Sequence, residues 1–121
     1  MSEQGRLRVE RRDGVTLVGF LDRTIEAELA ISTLGDELQA IAAIPECRIL
    51  ILNFSNVEFI PSAMLGKLIS TNRRMREKGG TMVMCELSEN LRTTFRITHL
   101  ESILDIRATE ADALAEREGE R

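Results

Sequence analysis

The chain has no tryptophan and no tyrosine, and its aromatic content is 4 phenylalanines in 121 residues. So few rings cannot build the stacking platforms on which single-stranded nucleic acids lie. Positive charge is also short. Sixteen basic residues face twenty acidic ones, a formal net charge of −4, whereas a protein that neutralises a phosphate backbone carries an excess of Lys and Arg. No nucleic-acid partner is expected. The single histidine, His99, cannot form a multi-histidine metal centre, and it reads as a partly buried or capping residue. The two cysteines, Cys47 and Cys85, lie far apart and fit no metal spacing, so they read as small buried hydrophobes of a reducing compartment. No apolar run approaches the ~18 residues of a membrane span. The start, Met1-Ser2-Glu3-Gln4-Gly5-Arg6, lacks the apolar stretch of a secretory signal. A cytoplasmic protein with no membrane span, metal or cofactor is the expectation.

The chain is rich in Leu, Ile, Val, Met and Ala: 43% of its residues are hydrophobic and 30% charged. At this length folding removes roughly two-thirds of the unfolded chain's surface, enough for a core without disulfide or metal staples. One domain over residues 1–121 is expected. Residues 6–12 and 15–21 flank Asp13-Gly14, a pair suited to a two-residue hairpin. Ile31, Leu34, Leu38 and Ile41 recur at helical spacing, Thr33-Leu34-Gly35-Asp36 resembles a capping box, and Pro45 sets the limit. Ile49-Leu50-Ile51-Leu52 is a continuous apolar run, as in a strand covered on both faces. A loop over 53–61 then leads to a second helix, with Pro61 suited to its first turn and Ser62 to its N-cap. Met64, Leu68, Thr71 or Asn72, and Met75 mark its inner face, and Gly79-Gly80 ends it. Thr81–Cys85 is a further strand, Ser88 opens a helix carrying Leu91 and Phe95, Leu104 and Ile106 form a short strand, and a last helix starts at Thr109-Glu110. The terminal Glu116-Arg117-Glu118-Gly119-Glu120-Arg121 is expected to fray.

Catalytic machinery is missing from this pattern. A P-loop needs a glycine-rich strand-to-helix turn with Lys followed by Ser or Thr, and Gly79-Gly80 stands between a helix end and a strand instead. Glu26 and Glu28, or Asp36 and Glu37, are too close in sequence to face each other across a substrate, so they read as solvated surface. Lys67, Arg73, Arg74, Arg76 and Lys78 crowd the second helix, where basic residues complement the negative end of the helix dipole; an acidic partner is the functional alternative.

The informative segment runs Leu52-Asn53-Phe54-Ser55-Asn56-Val57-Glu58-Phe59-Ile60-Pro61-Ser62-Ala63-Met64-Leu65-Gly66. It resembles the signature of STAS domains, the sulfate-transporter and anti-sigma-factor-antagonist family: Asp or Asn, apolar, Ser or Gly, any, apolar, any, Phe, apolar, then Asp-Ser-Ser-Gly-Leu-Gly. The resemblance continues through Lys78–Cys85 and the Ser88 helix, takes in Gly19 and Leu21-Asp22 upstream, and covers about residues 7–115. It implies an α/β fold, a mixed sheet of four to five strands packed by about four helices. It also implies a non-enzymatic role in bacterial partner switching. There the unphosphorylated domain captures an anti-sigma factor, a serine kinase of the ATPase-like fold, until that kinase phosphorylates it and a phosphatase restores it.

The family's phosphate acceptor is the second Ser of Asp-Ser-Ser-Gly, where free amides and the helix dipole stabilise a phosphate. An ungapped match puts Pro61 at the Asp, Ser62 at the first Ser, Ala63 at the acceptor and Met64 at the Gly. Ala63 carries no hydroxyl. Ser62 is then a displaced acceptor or a helix N-cap, or the domain binds constitutively, or it serves as a scaffold. Asp22, Asn53, Glu58, Ser62, Ala63 and Met64 are the expected partner surface, with Met64 at an exposed helix start; Asn53 and Asp22 suit a strand-end turn equally well, and Ser55 suits a local loop hydrogen bond. Two further classes stay open: a small-ligand or nucleotide-binding STAS module, and a self-associating subunit such as a homodimer.

Overall fold

The computed structural model describes residues 2–4, 7–25 and 28–119. Glu26, Glu120 and Arg121 lie outside the described residues. Strand β1 (Ser2–Gln4) pairs antiparallel with β2 (Leu7–Arg12), and β2 pairs antiparallel with β3 (Val15–Phe20). The β2–β3 reversal is at Asp13-Gly14, with φ of 40° and 85°. Two successive positive φ angles match the right-handed twist of the flanking strands, and Asp-Gly takes them at little cost. From β3 the sheet becomes parallel: β3 to β4 (Ile49–Asn53), β4 to β5 (Thr81–Cys85) and β5 to the two-residue β6 (Asp105–Ile106). The order across the sheet is β1-β2-β3-β4-β5-β6.

Strands β2–β6 and four α-helices are the expected fold, and β1 adds an edge strand. Its residues, Ser-Glu-Gln, carry no apolar pattern that could mark a strand.

The parallel connections run through α1 (Glu28–Ala42), α2 (Ser62–Glu77) and α3 (Glu89–Ile97), the last followed by a short 3₁₀ turn, Leu100–Ser102. Each joins neighbouring strands in the same direction. Since such crossovers are right-handed, all three helices fall on one face of the sheet. The cores confirm it: Leu50, Leu52, Met82 and Met84 pack with Leu34, Leu38, Leu68, Leu91 and Phe95. The alternate residues Ile49, Ile51, Val83 and Cys85 form a second cluster with Ala113 of α4 (Glu110–Gly119). Strand β4 is thus covered on both sides, which is why its four apolar residues run without alternation.

Three local details differ from expectation. Helix α1 starts at Glu28, so Thr33 sits within the helix and no capping box forms there. Pro61 is the N-cap of α2, with φ −80° and ψ 163°, and Ser62 is its first helical residue. His99 is exposed rather than partly buried; it does stand at a cap, the N-cap of the 3₁₀ turn, but left-handed with φ 62° and without a side-chain capping bond, in the place a glycine commonly takes after a helix. Its carbonyl accepts the Ser102 hydroxyl at 2.7 Å. By contrast Ser88 caps α3 as expected, its hydroxyl accepting the Leu91 N–H at 3.2 Å. Helix α4 takes in residues up to Gly119.

The basic side of α2 has structural uses. Lys67 lays its stem over Gly35 of α1, where an added Cβ would stand 2.6 Å from it. Lys78 donates to the Ile44 carbonyl beyond the end of α1. Arg73, Arg74 and Arg76 are exposed, the last two in the final turn, where they offset the helix dipole.

Candidate functional site

The carboxyl ends of β3 and β4 and the start of α2 form one surface, held by the loop at 53–61. Three apolar residues spaced by three, Phe54, Val57 and Ile60, are buried and pin this loop to the core. The Phe54 ring lies on Phe20 with centroids 4.7 Å apart. Between these anchors Ser55, Asn56, Glu58 and Phe59 are left outside. The stretch after β3 zips onto the loop: Glu58 N–H donates to the Arg23 carbonyl at 2.8 Å, Ile25 N–H to the Phe59 carbonyl at 3.3 Å, and Thr24 pairs with Phe59 as a parallel bridge. Half-buried Asp22 immediately precedes this zipped stretch. Arg23 and Glu58 form an exposed ion pair over it; in water such a pair contributes little to stability, and it leaves Glu58 available at the rim.

Asn56 is a residue that sequence reasoning passed over. Its amide donates to the carbonyls of Phe20 at 3.2 Å and Leu21 at 2.9 Å, tying the loop to the end of β3. Nothing in an isolated loop asparagine marks such a partner more than thirty residues away.

Asn53 takes the structural role. Its Oδ1 accepts the Ser55 N–H at 2.8 Å, closing a local turn, and its Nδ2 donates to Glu110 Oε2 at 2.9 Å. The Ser55 contact runs through its backbone N–H; the hydroxyl bond expected for it is not the one formed. Glu86, at φ 60°, accepts the Glu110 N–H at 2.8 Å and so caps α4. Asn53, Glu110 and Glu86 therefore clip the start of α4 to the ends of β4 and β5. Beneath lies Cys85, its thiol directed at the Leu52 carbonyl at 3.7 Å. Burial, then the carboxylates of Glu110 and Glu86, push this thiol up from 9.0 to about 12. It is a protonated core residue, not a nucleophile.

At the helix start the side chains divide by depth. Ser62 and Ala63 are exposed, whereas Met64 is 0% exposed and lies in the core with Leu65 and Leu68. The expectation that Met64 presents itself to a partner is therefore corrected: helical spacing turns position 64 inward, onto the same face as Leu68 and Met75. Ser62 is not the N-cap, and α2 has neither a side-chain cap nor an acidic residue in its first turn. Its positive dipole end is uncompensated, and two exposed apolar residues, Phe59 at 55% and Leu29 at 79%, belong to the loop and to the first turn of α1.

This arrangement is an open mixed α/β sheet presenting a loop and a helix start at the carboxyl ends of its parallel strands. The STAS domain family matches residues 7–113, and the chain belongs to that family. An anti-sigma F factor antagonist of Paenibacillus polymyxa is 27% identical over 73 residues, 60% of this chain and 62% of that protein; the chain thus spans less than two thirds of that relative. An anti-sigma factor antagonist from Mycobacterium paratuberculosis superposes with a TM-score of 0.77 at 25% identity, over 91% of either chain. An anti-sigma-factor antagonist (STAS) domain protein from Planctomyces limnophilus gives a TM-score of 0.77 at 21% identity, over 91% of this chain and 96% of that one. The last likeness is one of fold. Among the described residues no helix is long and apolar enough to cross a membrane, and no group of His, Cys, Asp and Glu could hold a metal.

Proposed function

We propose that this protein is an anti-sigma-factor antagonist that acts by binding, without catalysis, and that its partner is an anti-sigma factor or serine kinase of the ATPase-like fold. The docking surface consists of Ser62 and Ala63 at the start of α2, Glu58 and Phe59 before it, and the Asp22 turn beside it. One observation carries the reading. Ala63 stands exposed in the first turn of α2; matched without gaps to the family signature it falls at the phosphate acceptor, which supports reading this surface as a recognition surface that lacks the usual hydroxyl.

Phosphorylation moves to Ser62. Its hydroxyl is not spent on capping the helix, it is exposed, and the first turn holds no acid that would repel a phosphate. A phosphate there is stabilised by the helix dipole, and its charge opposes docking of a partner shaped for the neutral surface.

The test is incubation with the cognate kinase and ATP, followed by intact-mass and peptide mass spectrometry, with capture measured by calorimetry. The expected result is one phosphate on Ser62 and weaker capture. Capture without any phosphate would make the protein a constitutive binder; phosphate on Ser55 or Ser70 would sink the Ser62 assignment. A thermal-shift series with ATP and GTP tests the nucleotide-binding alternative, which predicts a rise in Tm with ligand concentration.

A further inference from the structure

The far end of the sheet carries a second surface. Helix α3 and the 3₁₀ turn wall an open groove of about 620 Å³ alongside β6. Leu87 and Leu104 form an apolar floor, and Ile106 of the edge strand lines one side. On the α3 side stand Arg92 and Arg96, one helical turn apart and both exposed. Among the described residues neither guanidinium has an ion-pair or hydrogen-bond partner. Of the acids that line the groove, Asp105 is engaged by Arg107 at 3.1 Å and Glu101 stands on the opposite wall; Glu89, one turn before Arg92 on α3, lies outside the lining.

The backbone adds to this. Arg107 N–H donates to the Met84 carbonyl at 2.8 Å. The alternation of a strand therefore turns the N–H and C=O of Ile106 to the outer edge, where among the described residues no strand lies beyond β6. Two exposed apolar residues flank these elements without lining the groove: Ile97 ends α3 at 70% exposure, and Ile103 precedes β6 at 52%. Arg96 in the last turn of α3 is suited to the helix dipole. That does not account for Arg92 in the first half of the helix, or for the apolar floor between them.

We infer that this groove is a docking site for an acidic peptide segment of a partner protein. The carboxylates of the segment pair with Arg92 and Arg96, its apolar side chains enter over Leu87 and Leu104, and its backbone meets the free edge at Ile106. The floor is concave, which suits a peptide rather than a flat lipid surface. The groove shares no lining residue with the Ser62–Ala63 surface, so the protein can hold two partners at once, and the two readings stand or fall separately.

The test is an NMR titration of the isotope-labelled protein with a short peptide alternating Glu and Leu, beside a Lys and Leu counterpart. Saturable shifts are expected at amides of 92–97 and 104–106 with the acidic peptide alone. Arg92→Glu with Arg96→Glu, both at exposed positions, should weaken binding about tenfold or more while the remaining spectrum stays native. Arg73→Glu with Arg74→Glu on α2 should leave it unchanged. The inference is overturned by shifts elsewhere or none, by undiminished affinity in the Arg92 and Arg96 variant, or by stronger binding to phosphatidylglycerol vesicles than to the peptide.

Discussion

Adjacent residues at the start of α2 have opposite fates, and substitutions there separate binding from folding. Ala63 is exposed near a positive helix end, so Ala63→Asp should stabilise the fold by roughly 0.3–1 kcal/mol while abolishing capture as a fixed mimic of phosphate. Urea denaturation and calorimetry with the partner read the two effects. Met64 is completely enclosed, and Met64→Asp places an unpaired carboxylate in the core. It should cost more than about 3 kcal/mol, visible as a lowered urea midpoint by circular dichroism. Cys85 contributes a pH dependence. Its thiol holds a proton more tightly folded than unfolded, so above pH 9.0 the unfolded chain ionises first and stability falls until about pH 12; below 9.0 this group has no effect. Urea midpoints on either side of pH 9.0 should show the fall, and Cys85→Ala should lack that part of it. The signature around 53–66 made the site legible in the sequence. What it left open is depth, because whether position 64 faces partner or core depends on the register of α2 against the sheet.

At the scale of elements, apolar spacing located α1, α2 and β4, because each buries a face whose pattern shows in the chain, while turn and cap residues located the β2–β3 hairpin, α3 and α4. Starts were less legible. Helix α1 begins before Thr33, with Glu28 and Leu29 exposed and Ala30 and Ile31 already buried in its first turn, so the capping-box pattern falls inside the helix. The attachment of α4 was also hidden, since it depends on Asn53, Glu86 and Glu110 meeting from three distant parts of the chain. Asn53→Ala removes both its links and should weaken that attachment by about 1–3 kcal/mol. Hydrogen exchange should then quicken in α4 while the amides of β4 keep their protection.

For the molecule as a whole, β4 is the most enclosed strand, buried on both faces and paired on both edges. The amides of Ile49–Leu52 should exchange most slowly, at rates set by global unfolding, with β6 and α4 well ahead of them in native-state exchange. This central strand also sits between the two proposed binding surfaces, one at the start of α2 and one beyond α3, and either can be altered without touching it.

The agreement between strand order and chain order has a bearing on biogenesis. Each strand leaving the ribosome finds its neighbour already made, and none has to be threaded between two strands laid down earlier. The sheet can grow by accretion, one strand and helix at a time, with its trailing edge open only until the next unit arrives. Among the described elements α4 follows the whole sheet. Until it docks, Ile49, Ile51 and Val83 have no helix over them, so a nascent chain stalled before α4 emerges is the species that chaperones should bind.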